Sequence, residues 1–300
     1  MNRTTKGIGF ALVTALISGV AIFVNSYAVK AISDAAVFTT LKNGVAALLL
    51  IGVVVLATRG RAALPSGVRS WTGFIAVGVF GGGVAFLLFF TGLAMASAPS
   101  AAFIHKTLFV WVALLAVPFL GERLGIIQIG ALGTLFASQL LIVPPTGVTW
   151  GSGEMMIAAA TLIWALEAIV AKKLLAKVDP LALGVGRLGI GLVVLVGYVV
   201  STGKMDAVLA LGPSQWTWVL ATGVLLAGYV GTWFTALRLA PASVVTSVLV
   251  LGAPITATLA TLANGTVPQG LPLIGYVLVA LGATAFAIAA SRRAARPATA

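Results

Sequence analysis

Long apolar segments alternate with short polar connections along the whole chain. A helix needs about 20 apolar residues to cross a hydrocarbon core that is ~30 Å thick, and ten segments reach or approach that length. The pattern therefore predicts an all-α integral membrane protein with no domain outside the membrane. The predicted helices cover residues 8–25, 35–58, 71–92, 99–120, 125–143, 153–171, 180–201, 215–236, 241–262 and 271–290.

The first apolar segment follows Arg3 and Lys6, which is also the arrangement of a secretory signal peptide. This segment lacks a clear cleavage site between small residues, and it opens a series of similar segments. We therefore interpret it as a retained first transmembrane helix.

Composition agrees with a membrane protein, since 60% of the residues are hydrophobic and only 8% are charged. Soluble proteins carry about 25% charged residues, so this chain cannot cover a soluble surface. The absence of cysteine excludes a disulfide framework and a thiolate nucleophile. The sequence contains no zinc-hydrolase, phosphate-binding or nucleophile motif, so neither an enzyme nor a cofactor or metal ion is predicted.

The net charge of +12 comes from basic residues that lie mostly between apolar segments and not on one polar face. Nucleic acid is therefore not a predicted partner. Lysine and arginine in short loops favour the cytoplasmic side of a membrane, and the ten-helix pattern leaves only Lys30 and Lys204 in loops on one side. Both termini are therefore expected in the cytoplasm, and the protein in the inner (plasma) membrane. The loop cations on the other side are Arg3, Lys6, Arg59, Arg61, Arg69, Arg123, Lys172, Lys173, Lys177, Arg238, Arg292, Arg293 and Arg296.

The second and seventh segments share a pattern in which a cation precedes a glycine and a run of small and aliphatic residues. Lys42-Asn43-Gly44 opens this run in one half and Arg187-Leu188-Gly189 opens it in the other. An Ala-Pro step likewise opens the fourth and ninth segments. Segments that are five apart must cross in opposite directions, which predicts two inverted five-helix repeats at residues 1–145 and 146–300. Inverted repeats are typical of transporters that open alternately to either side.

These features together resemble the EamA-type permeases of the drug/metabolite transporter superfamily. The resemblance rests on the two five-helix halves, the basic residue in helices two and seven, the Ala-Pro steps, and Leu120-Gly121-Glu122 after helix four. Within that superfamily the chain is similar to the YddG-like amino-acid exporters. It departs from the family pattern in the first helix, where Ser18-Gly19 lacks a tryptophan, and in the second half, where Leu262-Ala263-Asn264 replaces Leu-Gly-Glu.

The resemblance implies a carrier that exports small metabolites by alternating access. Amino acids, including aromatic and other neutral ones, are the first candidate substrates. The alternatives are a drug or nucleotide-sugar carrier on the same scaffold and, in a different class, a channel or lipid scramblase. A small-molecule substrate and the lipid bilayer are the expected partners. The sequence predicts no oligomeric state, and a monomer would suffice.

Two cations inside predicted helices are candidate substrate ligands. Lys42 and Lys106 each lie about 10 Å past the start of their helices at a rise of ~1.5 Å per residue, so we expect them at the same depth. Asn43, next to Lys42, is a further candidate substrate ligand. Two cations at one depth suit a carboxylate substrate. The alternative is that both long side chains extend to the nearer membrane surface.

Glu167 and Arg187 are predicted at another common depth, where they can form an ion pair that acts either as a static contact or as a gate. His105 is a candidate proton carrier because imidazole titrates near neutrality, although it can also simply pack. Only Glu167 offers a carboxylate for proton coupling, so proton antiport and facilitated diffusion both stay open. The aromatic residues expected at the binding site are Phe86, Trp111, Trp164 and Tyr229.

Overall fold

The computed structural model of the chain describes residues 2–32, 34–59, 61–143, 150–265 and 267–295. All regular secondary structure in this part of the chain is helical. It forms ten long helices, α1 to α10, and a short helix, Met205–Leu209, that follows α7. In order, the ten are Arg3–Ala31, Ala35–Thr58, Val68–Met95, Ala98–Leu120, Ile126–Ile142, Ser152–Leu174, Pro180–Ser201, Pro213–Leu239, Ala242–Asn264 and Leu271–Ala295.

Nine helices within the described ranges are long and apolar enough to cross a membrane, and α5 is a shorter apolar helix of 17 residues. This agrees with the predicted ten-helix arrangement. Several helices extend beyond their apolar segments. Helix α1 begins at Arg3 because the Asn2 side chain accepts a hydrogen bond from the Thr4 amide and caps the first turn. The predicted boundary between the halves, at 145–146, and Arg296 lie outside the described residues.

Three helices contain irregular segments. In α3, Val77–Val84 is a π-helix with three successive glycines. Helix α4 breaks at Thr107, and α9 breaks between Ala242–Leu249 and Gly252–Asn264. The second break follows from Pro254, which lacks an amide hydrogen and whose ring clashes with the carbonyl four residues earlier. Irregular backbone inside a membrane is tolerated where it is buried in protein or lines a cavity.

Helix packing follows the same plan in both halves. Helix α1 packs along α8, and its counterpart α6 packs along α3. Helix α2 contacts α7 and α8, α7 contacts α2 and α3, and α5 packs against α10. Exchanging each helix for its counterpart five places away leaves this set of contacts unchanged. The two halves therefore form one bundle with the symmetry of an inverted repeat.

Two equivalent glycines mark the crossings between the halves. A Cβ atom at Gly78 of α3 would lie 2.5 Å from Ile190 of α7, and a Cβ atom at Gly223 of α8 would lie 2.5 Å from Val45 of α2. The same sequence offset separates the two glycines and the two β-branched residues. Small residues let membrane helices approach closely, so the repeat is visible in individual contacts as well as in topology.

Hydrogen bonds bring both termini of the described chain to one end of the bundle, which we call the basic end. Arg3, at the start of α1, donates to a carbonyl in the last turn of α8. Arg293, near the end of α10, donates to the Arg123 carbonyl after α4. The opposite end holds an ion pair between Lys204 and Asp34, the N-cap of α2, at 2.7 Å. The helices therefore alternate in direction as the sequence predicts.

Candidate functional site

A cavity of about 210 Å³ lies between the two halves. Side chains of α1, α2, α3 and α4 line it together with side chains of α6, α7, α8 and α9. Its wall is mostly apolar and aromatic, but Lys42, Lys106, Glu167 and Arg187 also reach it. An apolar cavity with a few convergent polar groups is the usual form of a small-molecule site.

Glu167 of α6 and Arg187 of α7 form a buried ion pair in the cavity wall. Arg187 Nε lies 2.5 Å from Glu167 Oε1 and Arg187 Nη2 lies 3.2 Å from Oε2, and the two side chains are 7% and 6% exposed. The Gly81 carbonyl in the π-helix accepts hydrogen bonds from Arg187 Nη2 and Trp164 Nε1. Arg187 Nη1 is buried and has no hydrogen-bond partner within the described ranges. The two residues expected at a common depth are therefore paired, with one donor left over.

The glycines of α3 make room for this ion pair. A Cβ atom at Gly81 would lie 2.2 Å from Glu167 Cδ, and one at Gly82 would lie 1.9 Å from the Arg187 carbonyl oxygen. A larger residue at Gly81 would displace the Glu167 side chain, and one at Gly82 would displace the backbone of α7. The glycine-rich segment thus allows three helices to approach closely around the two charges.

Lys42 of α2 lies in an aromatic part of the wall. It is 3% exposed, and its Nζ atom lies 4.2 Å from the ring centroid of Phe90, 4.8 Å from that of Phe38 and 5.8 Å from that of Phe86. The described residues place no carboxylate within salt-bridge distance of this ammonium group. Ring faces therefore surround a cation that has no counter-ion in this part of the chain.

Lys106 and His105 end the first segment of α4, and both line the cavity. The His105 ring packs against Phe89 and Trp164, with centroid distances of 4.9 and 5.3 Å, and its Nδ1 atom has no partner among the described residues. Lys106 likewise lacks a carboxylate partner there. No group of three or more His, Asp or Glu residues in the described ranges could hold a metal ion.

The contacts of the two lysines do not offset their charges. A charge at the centre of a membrane costs about 2.5–3.5 kcal/mol even on the mildest scale. Cation–π contacts contribute about 0.5–2 kcal/mol, and of the two lysines only Lys42 makes them in the described structure. The cation–π contacts therefore offset the burial of Lys42 only in part, and Lys106 has no such contact in the described structure.

Most residues assigned to the site from the sequence line the cavity, including Phe86, Trp164 and Tyr229. Two do not. Asn43 is completely buried and donates a hydrogen bond to the Thr39 carbonyl within α2. Trp111 is 40% exposed, and its Nε1 donates to the hydroxyl of Thr107, one turn earlier. Neither residue therefore lines this cavity in the described structure.

Asn25 of α1 is a cavity residue that sequence reasoning missed. Its Oδ1 atom is buried and has no hydrogen-bond partner in the described part of the chain. Thr222 and Thr246 also line the cavity, but their hydroxyl groups donate to backbone carbonyls of their own helices. Asn25 therefore supplies an acceptor that a ligand can use.

Contacts between helices close the bundle at the basic end. Glu122, which follows α4, accepts hydrogen bonds from the backbone amides of Ala242 and Ser243 and from the Ser243 hydroxyl. It thereby caps the N-terminus of α9 from another helix. Lys172 of α6 donates to the Leu237 and Ala240 carbonyls, at the end of α8. The Ala-Pro step of the second half is thus held by both a carboxylate and an ammonium group.

Burial along α9 shows the same closure. Every residue from Ala242 to Val248 is buried, and this segment packs against the second segment of α4. Beyond the break, only Gly252 is buried in Gly252–Asn264. Helix α9 is therefore tightly packed near the basic end and less buried beyond its break.

The sequence matches the EamA-like transporter family twice, over residues 5–143 and 151–288. The two matches correspond to the two five-helix halves. A solved structure described as "Crystal structure of protein" superposes with a TM-score of 0.75 at 16% sequence identity, over 94% of this chain and 98% of that chain. This likeness shows a shared fold. No curated protein matches the sequence.

Proposed function

Because this chain belongs to the EamA-like transporter family, we propose that it exports small metabolites, amino acids first among them, across the inner (plasma) membrane. The observation that carries the proposal is a cavity shared by both halves, with two lysines that have no counter-ion in the described structure. All amino acids share a carboxylate, which matches an ammonium group in charge and accepts its short hydrogen bonds. Lys42 and Lys106 are thus the proposed substrate ligands.

The symmetry of the bundle supports transport by alternating access. Two inverted halves enclose the cavity, so a movement of one half that mirrors the present arrangement of the other would close the opposite end. In the present state Glu122 and Lys172 hold the basic end closed. Because basic loops favour the cytoplasm, we assign this state as closed to the cytoplasm, with both termini on that side.

Cavity size supports a small substrate over the ligands of a drug or nucleotide-sugar carrier. Pockets for drug-sized ligands occupy about 300–1,000 Å³, whereas this cavity measures about 210 Å³. The buried segment Ala242–Val248 also supports a carrier over a channel or scramblase, since those need a continuous path.

Glu167 bears on how transport is driven. It is the one carboxylate that lines the cavity in the described structure, and both of its oxygens accept from Arg187. Because Arg187 engages both oxygens in the present state, Glu167 offers no free oxygen to a proton there, and we favour facilitated diffusion. Uptake that is unchanged by a pH gradient is the expected result, and uptake that needs the gradient would contradict it.

Uptake into proteoliposomes tests the proposed function. We expect saturable uptake of at least one amino acid from a radiolabelled panel, and reduced uptake in Lys42→Ala and Lys106→Ala. Lys30→Ala is the matched control, since it removes an exposed lysine outside the cavity. Folded protein that takes up none of the amino acids would overturn the proposal. Normal uptake by both cavity variants would show that these lysines are not substrate ligands.

A further inference from the structure

We infer that the cavity selects substrates with two carboxylate groups, namely acidic amino acids or short dicarboxylates, over neutral amino acids. The inference rests on the proposed function and concerns the same site. Its first basis is the charge of the wall, where Lys42, Lys106 and Arg187 face a single carboxylate, Glu167. Since Glu167 is paired with Arg187, the positive excess resides on the two lysines.

A neutral amino acid does not balance this charge. Its carboxylate can pair with one lysine, but its ammonium group adds a cation to a cavity that already has an excess of them. Both Glu167 oxygens are engaged with Arg187, so no free carboxylate in the described wall can receive that ammonium group. A substrate with two carboxylates supplies one for each lysine and removes or halves the excess charge.

The donors of the wall support the same reading. Lys42 and Lys106 belong to different helices, α2 and α4, so they offer two separate ammonium groups. Arg187 adds Nη1, a buried donor with no partner in the described ranges. Carboxylates accept strong hydrogen bonds from such charged donors.

Asn25 distinguishes the two kinds of two-carboxylate substrate. Its buried Oδ1 acceptor, which has no partner in this part of the chain, can receive a hydrogen from the ammonium group of glutamate or aspartate. Succinate has no such donor. We therefore expect Asn25→Leu to weaken transport of glutamate more than transport of succinate, whereas equal losses would show that Asn25 does not bind the ammonium group.

Uptake of glutamate, succinate, leucine and phenylalanine by the wild-type protein in proteoliposomes tests the inference without any variant. We expect unlabelled glutamate or succinate to compete with labelled glutamate at least tenfold better than leucine or phenylalanine does.

Two variants give a second test. Loss of one charged hydrogen-bond partner weakens binding by about 10- to 100-fold, so Lys42→Gln and Lys106→Gln should each reduce the apparent affinity for glutamate by that factor.

The possible outcomes separate this inference from the proposed function. Saturable uptake of leucine or phenylalanine that equals or exceeds that of glutamate and succinate would overturn the two-carboxylate inference while the transport function stands. Saturable uptake of succinate but not of amino acids would retain the inference and replace the amino-acid proposal. Saturable uptake of none of the four compounds would overturn both.

Discussion

Removing one partner of the Glu167–Arg187 pair gives the clearest test of the structure around the cavity. Glu167→Gln keeps the shape of the side chain but leaves the Arg187 charge, whose side chain is 7% exposed, without a counter-ion. Breaking a buried pair in this way costs about 3–5 kcal/mol. The matched control is Lys204→Ala, which breaks an ion pair whose side chains are 33% and 26% exposed; such exposed pairs contribute about 0–1 kcal/mol.

Denaturant unfolding in detergent micelles, followed by circular dichroism, measures both losses of unfolding free energy. Glu167→Gln is expected to lose several times more than Lys204→Ala, and equal losses would refute the buried pair. The double variant Glu167→Leu/Arg187→Met then separates a gate from a static contact. Replacing both charges by apolar groups is often neutral for stability, so we expect stability to return while transport does not. Wild-type transport by the folded double variant would show that the pair is only a static contact.

Three further predictions concern the helix crossings, the closed end and the surface. Gly82→Ala places a Cβ atom 1.9 Å from the Arg187 carbonyl and should lower the unfolding free energy by about 1–3 kcal/mol. Gly189→Ala is the control, since a Cβ atom there meets nothing within 4 Å, and it should be neutral or stabilise the protein by up to ~1 kcal/mol. Equal effects of the two substitutions would contradict the close crossing. Glu122→Ala removes a helix cap and should lower the unfolding free energy by about 0.5–2 kcal/mol. Because the chain has no cysteine, Thr246→Cys introduces a single labelling site, and Glu122→Ala should increase the rate at which maleimide labels it. An unchanged labelling rate would show that Glu122 does not hold the closed end. Burial by itself raises the pKa of Asp34, but hydrogen bonds from Lys204, Val37 and Ala36 hold this pKa below its ordinary value of 3.8. Because the pKa is lower in the folded state, the stability that Asp34 contributes relative to Asp34→Asn is present above pH 3.8 and should be lost as the pH falls through the folded-state pKa. A difference in unfolding free energy between the two proteins that does not change with pH would argue against the contact.

The scaffold and the charged residues of the site could be predicted because charges are rare in this chain. With 8% charged residues, few partners are available at any depth of the membrane, so counting residues from the helix starts is enough to bring Glu167 and Arg187 together. The inverted repeat can be recognised in the sequence for a related reason. A cation inside an apolar segment is conspicuous, and Lys42 and Arg187 mark corresponding helices.

Neutral polar residues and helix breaks gave much weaker signals. The apolar pattern ends the first helix at Asn25, which would place this residue at the membrane surface. In the structure α1 continues to Ala31, so Asn25 lies inside the bundle and lines the cavity. The break at Thr107 has neither proline nor glycine beside it, so nothing in the local sequence announces it. The face of Trp111 depends on the orientation of α4 in the bundle, which tertiary packing sets.

The role of Glu122 also depends on tertiary structure. Its motif is visible in the sequence, but the amides that it caps belong to α9, in the other half. The second half ends α9 with Asn264, and at the opposite end Glu154 of α6 binds the Ser97 amide before α4. Glu122 therefore binds the backbone beside one Ala-Pro step, and Glu154 binds the backbone beside the other.

Equilibrium binding of radiolabelled glutamate to purified protein tests most directly the claim that Lys42 and Lys106 together hold an anionic substrate. The account predicts saturable binding to the wild-type protein and to Lys30→Gln, and loss of saturable binding in the double variant Lys42→Gln/Lys106→Gln with its helical content unchanged. Binding of glutamate to the folded double variant with wild-type affinity would contradict the account.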